Sequence, residues 1–226
     1  MIVLSSKEQF FMRQINEMHD GILRMGVLVE EALRKVIFAL ETRDFRLAEE
    51  IVRDDRRIDA LGVQIDDQCS RIIATEHPEE QDLREVVTTI KITSALERIG
   101  DHARHIAGRA KVITDSAFVQ TLPMIRRMTE QNIGMLQDVL TAYVEGDADQ
   151  AREVAARDAC VDRLHEELTA KIVSIMKSSP DTIENGLELM LVNRFLVRFG
   201  DQITNMCELV VFARDARHVE LNDSAR

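Results

Sequence analysis

Two pairs of aspartates spaced four residues apart are the first candidates for chemistry in this sequence: Asp55 with Asp59, and Asp158 with Asp162. With 40 acidic residues among 226, about 7 such pairs arise by chance, so the spacing alone carries no signal. The positions of the pairs are informative, because the pairs lie 103 residues apart at the same place in a repeated helical pattern. The apolar stripe of each helix predicts a buried side chain at Asp55 and at Asp158. A buried carboxylate needs compensation by an arginine, a shared proton or a cation.

Further carboxylates lie on the third helix of each pattern. Glu97 and Asp101 are four residues apart and His105 continues the line, whereas the second copy keeps Asp201 but has Val197 in the place of Glu97. If the second and third helices of a bundle bring their carboxylates together, four oxygen donors suit Mg²⁺, Mn²⁺, Ca²⁺ or iron. The first copy therefore predicts a metal site, and the second copy predicts a site weaker by one ligand.

Neutralisation without a metal is the alternative explanation for the buried aspartates. Asp55 and Asp158 could cap turns, or they could form ion pairs with nearby arginines, of which the candidates are Arg56, Arg57, Arg98 and Arg198. Two histidines that flank Asp101, His102 and His105, are further candidates for a functional role. The residues alone leave both explanations open.

Six amphipathic helical segments are predicted to position these groups, because apolar residues recur at steps of three and four along each segment. The breaks fall at Pro78, at Pro180 and at Gly146–Asp147. The last three segments repeat the first three, since Asp44 matches Asp147 and the Arg-x-Gly-Asp of the third segment recurs 100 residues later in the sixth. The pattern predicts an all-α protein of two tandem three-helix bundles, residues 9–114 and 118–216.

Composition excludes several classes of function. A net charge of −11, with no Trp and a single Tyr, argues against nucleic-acid binding. Three scattered cysteines favour a reducing cytoplasm, and no apolar run is long enough to span a membrane. No nucleophile elbow, Walker loop or dinucleotide-binding glycine motif is present, so we expect no enzyme. A ferritin-like metal protein is a weaker alternative, because no histidine follows a glutamate by three residues.

Two related stretches carry a resemblance to a known family. The run Leu-Glu-Arg-Ile-Gly-Asp-His-Ala at 96–103, and its counterpart Arg-Phe-Gly-Asp-Gln-Ile-Thr-Asn-Met-Cys-Glu at 198–208, resemble the most characteristic segments of PhoU proteins. The aspartate patterns at 55–61 and 158–164 are also similar to those of this family, and the likeness extends over residues 10–215.

The resemblance implies a fold of two three-helix bundles and a non-enzymatic, cytoplasmic negative regulator of the phosphate-starvation response. Such proteins link the ATPase subunit of the phosphate ABC transporter to a sensor histidine kinase, and many are homodimers. An accessory protein of a different phosphate transporter is the alternative. The resemblance also implies a multinuclear cluster of Fe, Zn, Mn or Mg on Asp55, Asp59, Glu97, Asp101, Asp158, Asp162 and Asp201. The residues expected to accompany these ligands are Arg98, His102, His105, Arg198 and Asn205.

Overall fold

The computed structural model describes residues 6–113 and 115–221, and within these residues it contains helices and no strand. The prediction of an all-α protein with two three-helix units is confirmed. The helices are α1 (Ser6–Thr42), α2 (Phe45–Glu76), α3 (Glu80–Arg109), α4 (Leu122–Glu145), α5 (Ala148–Ala156), α6 (Asp158–Ser178) and α7 (Ile183–Asp215). Short 3-10 turns, Ser116–Thr121 and Pro180–Thr182, precede α4 and α7.

Equivalent N-caps begin the second helix of each half. The carboxylate of Asp44 accepts hydrogen bonds from the backbone N–H groups of Arg46 and Leu47. Asp147 caps α5 in the same way, after Gly146 has ended α4 with a φ of +64°. Because an aspartate N-cap and a left-handed glycine are both local signals, this part of the repeat could be predicted from the sequence.

The fifth predicted segment is the one element that the structure divides. It was expected to be continuous, but it breaks at Arg157 into α5 and α6. The N–H of Arg157 bonds the carbonyl of Val154, and the N–H of Cys160 bonds the carbonyl of Arg157. Both bonds span three residues instead of four, so the helix tightens to a 3-10 turn immediately before Asp158.

The two halves pack against each other along two pairs of helices, α3 with α7 and α1 with α4. Helices α3 and α7 run antiparallel, since Thr88 Oγ1 lies 3.5 Å from the Leu209 carbonyl and His102 contacts Phe195 and Phe199 further along. A buried hydrogen bond of 2.5 Å joins the hydroxyls of Thr89 and Tyr143 across the halves. No helix within 6–113 and 115–221 is long and apolar enough to cross a membrane.

Candidate functional site: two buried carboxylate sets

The first carboxylate set is organised by an arginine. Asp55 on α2 is buried, with 8% of its surface exposed, as its place in the apolar stripe predicted. Arg104 on α3 reaches it, and the Arg104 Nε atom lies 2.7 Å from Asp55 Oδ2. The same guanidinium donates a 2.6 Å hydrogen bond from Nη2 to Asp101 Oδ1. Arg104 therefore bridges Asp55 and Asp101, two of the carboxylates that the sequence predicted as metal ligands.

The arginine explanation thus holds for Asp55, but through a residue that sequence reasoning had not considered. Three arginines considered in its place, Arg56, Arg57 and Arg98, are exposed. Arg104 carried a signal in the sequence, because it follows Asp101 by three residues and so lies on the same helical face.

Repulsion among the carboxylates persists despite Arg104. The pKa of Asp55 is raised by burial first and by nearby Asp59 next, and Arg104 partly opposes this rise. The pKa of Glu97 is also raised, by burial and then by the charge of Asp66, a half-buried neighbour that the sequence had not singled out. Both shifts mean that the folded protein holds these protons more tightly than the unfolded chain does.

Glycines allow the carboxylates to approach the facing helix. A Cβ atom at Gly62 of α2 would lie less than 3.0 Å from Glu97 Oε1, closer than real Cβ atoms come. A Cβ at Gly200 of α7 would lie equally close to Asp158 Oδ1. Gly100 also faces a carboxylate, that of Asp55, but the distance is longer, because a Cβ at Gly100 would lie 3.4 Å from Oδ1. Carboxylate against glycine is therefore the packing rule at both sets.

The second set lies deeper than the first. Asp158 begins α6 and is 1% exposed, beside Gly200 and the buried Asn132 of α4. Asn132 donates a 2.9 Å hydrogen bond from Nδ2 to the Leu196 carbonyl, and so ties α4 to α7 at this point. Asn132 interrupts the apolar stripe of its helix, a signal that was present in the sequence and was missed.

The remaining members of the second set are less deeply buried. Asp162 and Asp201 are half-buried, and Val197 packs partly against the hydrophobic core where the first copy has Glu97. Arg157 pairs with Asp138 at the break between α5 and α6. The second copy therefore holds one fully buried carboxylate and lacks an equivalent of the Glu97 ligand.

The donor set, as arranged, does not fit a metal cluster. Within 6–113 and 115–221, no three His, Cys, Asp or Glu side chains form a group that could hold an ion. At the first set the guanidinium of Arg104 lies between Asp55 and Asp101, and Asp59 is exposed. A cation at this place must displace Arg104, because the guanidinium already forms an ion pair with Asp55 and a hydrogen-bonded ion pair with Asp101, two of the expected ligands. Metal binding stays a prediction.

The residues predicted to accompany the ligands lie along the contact between α3 and α7. His102 is half-buried, with its ring 5.3 Å from that of Phe195 and 5.9 Å from that of Phe199. Burial, followed by the charge of Arg198, lowers the pKa of His102 to about 4. His105 stacks on Phe195 with 5.3 Å between ring centroids. The other three residues are exposed: Arg98, Arg198 and Asn205.

Comparison with known proteins identifies a family for this chain. A family model described as the PhoU domain matches the chain twice, at residues 22–110 and 125–210. The "Phosphate-specific transport system accessory protein PhoU homolog" of Clostridium acetobutylicum is 34% identical over 216 residues, which are 95% of this chain and 99% of the relative.

Two crystal structures are similar to this chain over almost its whole length. The phosphate transport system regulatory protein PhoU from Streptococcus pneumoniae matches with a TM-score of 0.85 and 30% identity, over 93% of this chain and 99% of that chain. PhoU from Pseudomonas aeruginosa matches with a TM-score of 0.83 and 30% identity, over 92% of this chain and 100% of that chain. With two matched domains and relatives covered from end to end, the chain belongs to the PhoU family.

Proposed function

We propose that this chain is a non-enzymatic, cytoplasmic accessory protein of a phosphate-specific transport system and a negative regulator of the phosphate-starvation response. The observation that carries this proposal is the full-length similarity to relatives whose names state that accessory role, such as the 34% identical relative that the chain covers over 99% of its length. The carboxylate sets lie in helix contacts, where Arg104 pairs with Asp55 and Asp101 and where Asp158 is 1% exposed.

The finer part of the proposal is an adaptor role. We propose that the two halves bind two different proteins, the ATPase subunit of the transporter and a sensor histidine kinase. Two copies of one fold supply two related faces with different side chains, which suits an adaptor. The difference between the carboxylate sets, with Glu97 in one half and Val197 in the other, gives the halves different chemistry at equivalent places. We also propose that the chain forms a homodimer. Analytical ultracentrifugation can measure its molar mass in solution.

A genetic experiment tests the regulatory role. The gene is deleted in its own host, and a reporter driven by a promoter that responds to phosphate starvation is measured in medium rich in phosphate. The proposal expects the reporter to be derepressed in the deletion strain and repressed again when the wild-type gene is returned. A reporter that stays repressed in the deletion strain contradicts the proposal.

Metal binding at the first carboxylate set is proposed only in competition with Arg104. Removing the guanidinium by Arg104→Gln takes away the competitor and leaves Asp55 and Asp101 to a cation, so metal content should rise above that of the wild type. Elemental analysis of protein purified without chelators measures this, with Asp55→Ala and Asp101→Ala as variants that lack a ligand. Metal-free Arg104→Gln protein refutes the proposal, and the regulatory role does not depend on the result.

A further inference from the structure

Helices α3 and α7 form a long seam whose outer side faces solvent. Arg84 crosses it at one end, with Nε 3.4 Å from the Ala213 carbonyl, and Arg109 crosses it at the other, with Nε 3.3 Å from Glu188 Oε2. The two arginines are 25 positions apart in the sequence, which corresponds to about 37 Å at the rise of an α-helix. The outer side of this seam is called the α3–α7 groove below.

Helix α3 lines one side of the groove with residues at seven-residue spacing, called the basic ladder: the basic residues Arg84, Lys91 and Arg98, followed by His105. Three side chains of the ladder contact α7 or lie close to it. Arg84 reaches the Ala213 carbonyl, Lys91 Nζ lies 6.0 Å from the centroid of the Phe212 ring, and His105 stacks on Phe195. The ladder contains no carboxylate, although acidic residues outnumber basic ones by 40 to 29 in the chain.

Helix α7 lines the other side with a strict alternation of four-residue and three-residue steps: Leu191, Phe195, Arg198, Gln202, Asn205, Leu209 and Phe212. Every one of these side chains is half-buried or exposed, because the core face of α7 is a different stripe that includes Leu196, Phe199 and Ile203. A second stripe at seven-residue spacing is the pattern by which a helix receives a neighbouring helix. Period seven drifts about 20° per repeat around a straight helix, so it serves a partner that winds along with it.

The segment that follows α7 already packs against one end of the groove. Beyond α7, His218 stacks on Phe212 with 4.3 Å between ring centroids, and the Leu221 N–H donates a 2.9 Å hydrogen bond to Glu208 Oε1. Phe212 of the stripe therefore accepts a covering segment. At the other end Phe195 packs against the rings of His102 and His105 of α3, and the Arg109 guanidinium lies 5.2 Å from its ring centroid. Between Phe195 and Leu209 the stripe is polar, with Arg198 and Asn205 exposed and Gln202 half-buried.

On the basis of the proposed accessory role, we infer that the α3–α7 groove binds an amphipathic α-helix of a partner protein, with apolar side chains on the two apolar ends of the α7 stripe and acidic side chains along the basic ladder. Basic charge on one wall and partly exposed rings on the other match such a helix in both respects. Rings that are half-buried do not project as membrane-inserting side chains do. The outer face of α2, which a second copy could offer, mixes acidic residues with Arg53, Arg56 and Arg57 and is less complementary.

A binding measurement with a synthetic helix tests the inference. The probe is a stapled, fluorescein-labelled peptide of about four heptads with leucine along one face and glutamate flanking it. Its reverse-charge partner carries lysine in place of glutamate. Fluorescence anisotropy compares the wild type with Lys91→Glu/Arg98→Glu/Arg198→Glu, called the ladder variant, which reverses the charge of two ladder residues and of Arg198 in the facing α7 stripe. The matched control is Arg24→Glu/Arg127→Glu/Arg163→Glu, which makes the same change of charge at exposed positions on α1, α4 and α6.

The inference expects the wild type and the control variant to bind the acidic peptide with equal affinity and to discriminate against the basic peptide. The ladder variant should bind at least about tenfold more weakly, because three exposed attractions become repulsions. Added salt should weaken the wild-type complex. Circular dichroism and urea midpoints establish that both triple variants are folded.

Four results overturn the inference. The first is equal affinity for the acidic and basic peptides, and the second is an equal loss of affinity in the ladder and control variants. The third is the absence of peptide binding together with ladder-dependent binding to phosphatidylglycerol vesicles, or ladder-dependent dimerisation, which assigns the groove to a membrane or to a second copy. The fourth is a peptide that fails to bind while the starvation reporter still depends on the gene, which refutes the groove as a binding site and leaves the regulatory role intact.

Discussion

Replacing Gly200 by alanine should destabilise the protein much more than the equivalent replacement at Gly100. The two glycines correspond in the repeat, and each faces an aspartate of the second helix in its half. A Cβ at position 200 would lie less than 3.0 Å from Oδ1 of Asp158, which is 1% exposed. A Cβ at position 100 would lie 3.0 Å from Ile58 Cδ1, the mobile end of a side chain, and 3.4 Å from Asp55 Oδ1.

The expected magnitudes follow from these contacts. At Gly200, crowding costs about 1–3 kcal/mol, and moving a buried carboxylate out of its contacts costs about 1–3 kcal/mol more. The better helix propensity of alanine returns about 1 kcal/mol, so the free energy of unfolding should fall by about 3 kcal/mol. At Gly100, turning the end of Ile58 costs about 0.5–1.5 kcal/mol. The propensity gain offsets this, and the net change should be close to zero.

Urea unfolding followed by far-UV circular dichroism measures both variants against the wild type. Comparing midpoints at equal slope is essential, because a changed slope means that the halves no longer unfold together. Each variant is the control for the other, since both make the same chemical change in the middle of a helix. If Gly200→Ala is within about 1 kcal/mol of Gly100→Ala, the close packing of Asp158 on Gly200 is not a stabilising contact.

Three further outcomes are expected. The pKa of Glu97 is raised above its ordinary 4.5 in the folded state. The free energy of unfolding therefore falls as the pH rises from the pKa of the unfolded chain to that of the folded protein. Glu97→Gln should therefore gain stability over the wild type at about pH 8 and lose the advantage near pH 4; equal urea midpoints at both pH values would argue against a buried, repelled carboxylate. Tyr143→Phe removes the hydrogen bond between the halves and should cost about 0.5–1.5 kcal/mol in the same urea assay, whereas an unchanged midpoint would make that bond energetically neutral. Iodoacetamide at mildly alkaline pH should label the native protein at Cys160 alone, with mass spectrometry as the readout. Burial raises the pKa of the other two thiols, Cys69 and Cys207, to about 12. Fast labelling of either Cys69 or Cys207 would contradict this packing.

Local signals explain the parts of the fold that could be predicted. The caps at Asp44 and Asp147 and the left-handed turn at Gly146 depend on residues adjacent in sequence, so they read directly from it. The burial of Asp55 and Asp158 could also be predicted, because helical periodicity shows which face turns inward. Periodicity does not show what that face meets, and this limit accounts for what was missed.

Long-range contacts explain the rest. Arg104 reaches Asp55 on another helix, and a long flexible side chain can satisfy several partners that the sequence cannot rank. The second stripe of α7, from Leu191 to Phe212, could be seen as a pattern, but its exposure depends on how the two halves pack. The break at Arg157 has no proline or glycine to announce it, since it lies between Ala156 and a buried aspartate. Tertiary contacts override local propensity at such places.

Direct binding to the transporter tests the central claim of an accessory role. The host's phosphate ABC transporter is purified in lipid nanodiscs with its ATPase subunits attached, mixed with the untagged chain, and resolved by size-exclusion chromatography. The account predicts that the chain co-elutes with the transporter in a fixed ratio, and that an unrelated ABC transporter prepared in the same way does not retain it. A folded chain that elutes alone in both experiments would contradict the account.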